Sequence, residues 1–129
     1  MNNDIKRKLI DSAVKVRTAA YAPYSNFLVG AAILSDDGEI YTGANFENVS
    51  FGAGVCAERV ALGAALSQGK RKFSAICVSG QAADITPCGI CRQSLSEFGD
   101  IDVICTNRDG SDAREYKLSD LLPYAFDKI

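Results

Sequence analysis

Apolar residues at Ile5, Leu9, Ala13, Val16 and Ala20 fall on one face of a helix and predict a first helix from about Asp4 to Ala20. The pattern breaks in "YAPYSN", where Pro23 disfavours helix in itself and in the residue before it. The unbroken apolar run "FLVGAAIL" then reads as a buried strand, "SDDGE" as a tight turn, and "IYTGANF" as the returning arm of a hairpin. A glycine-rich loop, "FGAG", leads into "VCAERVALGAALSQG", a run of strong helix formers that ends with Gly69 as its left-handed stop. "FSAICVSG" is β-branched and aromatic, as in a core strand. In "TPCGICRQSLSEFG", Thr86 suits an N-cap, Pro87 the first helical position and Gly99 the stop. "IDVICT" reads as another strand, "NRDGS" as a turn, "REYKL" as a short edge strand and "SDLLPYAF" as a brief closing helix. A hairpin followed by alternating helices and strands predicts a three-layer α/β/α sandwich around one mixed sheet of about five strands.

Composition narrows the class. The chain has 129 residues, 47% hydrophobic and 23% charged, which fits one globular domain spanning residues 1–129 with a proper core. A net charge of −2 offers no basic face for nucleic acid or an anionic membrane. The N-terminus "MNNDIKRKLI" lacks the apolar stretch of a signal peptide, and no run approaches the roughly 18 apolar residues of a membrane span. The expected location is therefore cytoplasmic. Five cysteines, an odd number, favour thiols and metal ligation over a disulfide framework.

Three of those cysteines stand at helix starts: Cys56 on one helix, Cys88 and Cys91 on another. Helix N-termini favour thiolate over thiol, and three converging thiolates suit zinc, a borderline-soft ion. Cys77 and Cys105 lie mid-strand in apolar company, where cysteine behaves as a small hydrophobe. That leaves three ligands and one open position, the pattern of catalytic rather than structural zinc. An activated water needs a proton acceptor, and the chain contains no histidine. Glu58, two residues after Cys56 on the first turn of the same helix, is the natural candidate. Three thiolates leave Zn²⁺ with a net −1, and hydrogen bonds from Arg59 to the sulfurs would withdraw part of it. Arg92 and Gln93 are weaker candidates for steering the ligands; either could equally be a surface residue on its helix, and for Arg92 the surface reading is favoured. A thiol-redox or structural zinc protein would also use Cys88 and Cys91, but leaves Cys56, Glu58 and Arg59 without a purpose.

"CAE" followed by "PCGIC" resembles the zinc-dependent nucleoside and nucleobase deaminases. More closely, "YSNFLVGAAI", "GANFENVSFGAGVCAERVA", "TPCGICRQSLSEFG" and "LLPYAF" resemble cytidine deaminase, in the order of that family and over most of the chain. The length resembles its short, homotetrameric, three-cysteine branch. The resemblance implies one zinc per chain and hydrolytic deamination of cytidine and deoxycytidine to uridine and deoxyuridine, with release of ammonia in pyrimidine salvage. Hydroxide formed at the metal would attack C4 while Glu58 shuttles protons. It also implies ribose contacts from Asn45 and Glu47, ring packing by Phe27, and reading of the base edge by the backbone at Ala57. Phe51 and Phe126 match positions that reach into neighbouring subunits. The sequence departs from the pattern at Phe51, where tyrosine is more usual, at Leu28 and at Tyr124. A relative acting on a cytosine-nucleoside antibiotic of the blasticidin S type would share the same zinc signature.

Overall fold

The computed structural model describes all residues 1–129. Helix α1, Asn3–Arg17, is capped by Asn2, whose side chain accepts from the Ile5 N–H at 2.8 Å. It ends three residues before the predicted Ala20. Strands β1 (Gly30–Ser35) and β2 (Ile40–Ala44) form the expected hairpin. A short 3-10 turn, Phe51–Ala53, precedes α2 (Ala57–Ser67). Then follow β3 (Phe73–Ser79), α3 (Gly89–Ser96), β4 (Asp102–Thr106), β5 (Ala113–Lys117) and α4 (Leu118–Leu121).

The strands form one mixed sheet in the order β2-β1-β3-β4-β5. β1 runs antiparallel to both β2 and β3, β3 is parallel to β4, and β4 is antiparallel to β5. Parallel neighbours require a crossover, and α3 supplies it. Strand alternation assigns each central side chain to a layer. Ala31, Ile33, Ile76, Val78 and Val103 pack with Ala57, Ala61 and Leu62 of α2 and Leu95 of α3. Ala32, Leu34, Ala75, Cys77 and Ile104 pack on the other side with Leu9, Ile10 and Ala13 of α1. The predicted three-layer sandwich is the observed one, with α2 and α3 together on one face.

Three further boundaries differ from the sequence reading, each for a local reason. β1 begins at Gly30 rather than Phe27, because the Asn45 side chain takes the Val29 N–H and the Phe27 carbonyl, both at 2.9 Å, in place of a strand partner. α3 is capped by Cys88, so Pro87 lies outside the helix and Thr86 is no cap. The Thr86 hydroxyl instead accepts from Arg92 at 2.7 Å. The closing helix stops at Leu121, since Pro123 drives Leu122 out of the helical region, to φ −141° and ψ 72°. No helix is long and apolar enough to cross a membrane.

Candidate active site

The N-termini of α2 and α3 converge over one face of the sheet. Cys56 and Cys88 are the N-cap residues of the two helices, and Cys91 lies on the first turn of α3. Their sulfurs lie within 4.8 Å of one another, with Cys56 and Cys88 3.7 Å apart. A tetrahedral ion with bonds of about 2.3 Å to sulfur holds its ligands roughly 3.8 Å apart, so the cluster has the dimensions zinc requires. Its electrostatics point the same way. Hydrogen bonding from Cys91, then from Cys88 and Arg59, draws the Cys56 thiol down to about 5. The interaction with Cys56, together with burial, pushes the Cys91 thiol up. Three thiolates at this spacing repel, and a divalent cation among them removes the conflict.

Arg59 lies against the same sulfurs. Hydrogen bonding to Cys91, and next to Cys56, raises its pKa above the usual value. Its Nε is buried without a hydrogen-bond partner. Glu58, on the first turn of α2, is only 5% exposed. Burial, with the charge of Cys56 adding to it, pushes its carboxyl up. Cys77 and Cys105 lie apart in the core, where burial raises both thiols to about 12.

A cleft of about 200 Å³ opens onto the sulfurs, lined by Phe27, Asn45, Cys56, Ala57, Glu58 and Thr86 among others. Ala57 is the first helical residue, so its N–H has no partner within the helix. A second hollow of about 330 Å³ is lined by Tyr24, Ser25, Glu47 and Phe51. Asn45 and Glu47 come from the same segment, but both already hold the loop before β1. Glu47 accepts the N–H groups of Tyr24 at 2.9 Å and Ser25 at 3.1 Å, and the Ser25 hydroxyl on its other oxygen. The Ser25 hydroxyl accepts in turn from the Phe27 N–H at 3.0 Å. Ser25 thus ties the carboxylate to the aromatic ring of the cleft, a link no sequence spacing announces.

Phe51 is 81% exposed and meets its own chain through an edge contact with Tyr24, ring centres 6.0 Å apart. Phe126 is 72% exposed. Gln93, expected near the sulfurs, donates to the Phe126 carbonyl at 2.8 Å and so fastens the C-terminal segment to α3. Arg92 is not the surface residue the sequence implied. Its guanidinium donates to the carbonyls of Pro87 and Leu121, both at 2.6 Å, and to Thr86.

The sequence profile of the family described as "cytidine and deoxycytidylate deaminase zinc-binding region" matches residues 3–107. The cytidine deaminase of Sporosarcina psychrophila is 46% identical over 124 residues, 94% of this chain and 90% of its own length. Among solved structures, cytidine deaminase from Burkholderia pseudomallei superposes with a TM-score of 0.89 at 46% identity, covering 98% of this chain and all of that one. Cytidine deaminase from Mycobacterium tuberculosis superposes with a TM-score of 0.80 at 37% identity, covering 95% of this chain and 98% of its own.

Proposed function

The chain belongs to the cytidine and deoxycytidylate deaminase family, and from that premise we propose how its own residues divide the work of hydrolysing cytidine and deoxycytidine to uridine and deoxyuridine. Cys56, Cys88 and Cys91 hold one zinc ion per chain, and the spacing of their sulfurs is the observation that carries this reading. Zinc bound there supplies Lewis-acid activation of water. Glu58 takes the proton of the attacking water and delivers it to pyrimidine N3, which makes C4 the better electrophile. Once the water oxygen is bonded to C4, Glu58 takes the proton that remains on it and passes it to the amine, and the C4–N bond breaks to release ammonia. One carboxylate acting first as base and then as acid needs a raised pKa and shelter from solvent, and burial gives Glu58 both. Arg59 withdraws thiolate charge. Phe27 packs on the ring and the backbone at Ala57 reads its edge. Asn45 and Glu47 face the ribose with the acceptor and donor capacity their loop contacts leave free. The antibiotic reading is not favoured, since the relatives are cytidine deaminases.

The test is cytidine turnover followed by ultraviolet absorbance, with Glu58→Ala run beside the parent. The variant is expected to keep its zinc and lose about 10²- to 10⁴-fold in turnover. A parent that holds zinc yet leaves cytidine and deoxycytidine untouched refutes the assignment.

Residues 1–129 act as one catalytic domain, and its working form is a homotetramer with sites completed by neighbouring subunits. Supporting this, Phe51, Phe126 and Val49 stand uncovered by their own chain. Light scattering that gives a mass other than four chains would refute it. Three thiolate ligands favour a reducing compartment, which supports a cytoplasmic location, and cell fractionation can check it.

A further inference from the structure

Cys88 ends an irregular stretch with little else to hold it. The last backbone bond before it joins the Ile85 N–H to the Ala82 carbonyl, and the next joins the Arg92 N–H to the Cys88 carbonyl. Between them, Pro87 has no N–H to offer, and no side chain caps α3. The hydrogen bonds that hold Thr86 and Pro87 all come from one group, the Arg92 guanidinium. Its Nε reaches the Pro87 carbonyl at 2.6 Å and one terminal nitrogen the Thr86 hydroxyl at 2.7 Å. The other terminal nitrogen reaches the Leu121 carbonyl at the end of α4, at 2.6 Å. The clamp therefore links the approach to Cys88, the turn carrying Cys91 and the closing helix.

We propose that Arg92 is a positioning residue for the metal, fixing Cys88 relative to Cys91 and Cys56 without touching ion or substrate. A planar guanidinium can serve three acceptors in a fixed fork, whereas an ammonium is a single point of charge. Outer partners that orient metal ligands typically set affinity by about 10- to 100-fold. The inference rests on the zinc reading of the three cysteines and is independent of which nucleoside is deaminated.

The experiment measures zinc release from the loaded protein to excess chelator, read with a colorimetric zinc indicator, beside the melting temperatures of loaded and chelated protein. Arg92→Ala is expected to release zinc about 10- to 100-fold faster, and Arg92→Lys to recover only a small part of that. Thr86→Val removes one of the three bonds at nearly constant shape, and is expected to speed release by a smaller factor. It also keeps the inference testable if Arg92→Ala fails to fold. A variant that melts earlier but releases zinc at the parental rate makes Arg92 merely structural and overturns the proposal. A parent that holds no zinc overturns the metal reading itself.

Discussion

Gly43→Ala tests how tightly the metal-bearing helix is seated. Gly43 lies on β2, opposite Ala31 of β1, and is buried beneath α2. A Cβ built there would lie 2.4 Å from the Ala61 nitrogen and 2.8 Å from both the carbonyl carbon and the Cβ of Val60. Ordinary contact between such atoms begins near 3.5 Å, so strand and helix must separate by about 1 Å. The obstacle is helix backbone rather than a side chain that can turn aside. The cost therefore falls at the upper end of the overpacking range, about 3 kcal/mol. Reduced freedom of the unfolded chain offsets about 0.4–1 kcal/mol of it. The net loss is about 2 kcal/mol, or roughly 8 °C in melting temperature for a chain of this size. Urea unfolding at one fixed protein and zinc concentration measures it, because bound metal shifts apparent stability. β2 is an edge strand and can yield outward, in which case stability falls and turnover survives. If α2 yields instead, Cys56 and Glu58 move with it, and a 1 Å displacement can cost about 100-fold in turnover. A variant within 0.5 kcal/mol of the parent would refute the claim that this glycine sets the helix–sheet distance.

Two further outcomes follow from the same geometry. Ser25→Ala removes the donor on one Glu47 oxygen and the acceptor of the Phe27 N–H, so KM for cytidine should rise roughly tenfold with kcat much less affected. Ser25→Thr should restore most of the loss, and steady-state kinetics showing KM unchanged would remove Ser25 from substrate positioning. Iodoacetamide at pH 8, applied to chelated native protein and located by mass spectrometry, should modify Cys56 and Cys88 but spare Cys77 and Cys105. At a pKa of about 12, roughly one in 10⁴ of the latter thiols is ionised, and both are fully buried. Labelling at either one in the folded protein would contradict the core placement.

Much of this molecule can be read from residue order, because its site is built at places that leave local signatures. Cys56 and Cys88 occupy helix starts, and the helix formers that follow "FGAG" and the Thr86-Pro87 start signal locate those starts to within a residue or two. The sandwich follows from a hairpin joined to alternating elements, and convergence of α2 and α3 follows from their lying on one face of a sheet whose β3 and β4 are parallel. What stayed hidden depends on side chains that leave their own neighbourhood. Arg92 follows Cys91 on a helix, and periodicity alone puts it at the surface. Only the fold shows that its guanidinium turns back over Pro87 and reaches Leu121, 29 positions away. The missed start of α3 has the same origin, since a Thr86 hydroxyl engaged by Arg92 is no longer free to cap a helix. Gln93 repeats the pattern, its amide donating to the Phe126 carbonyl, 33 positions on. The ligands are thus written in local sequence, while the contacts that hold them in register are written in tertiary structure. Substitutions at Arg92 should therefore damage metal binding more than any motif-based ranking of this chain would predict.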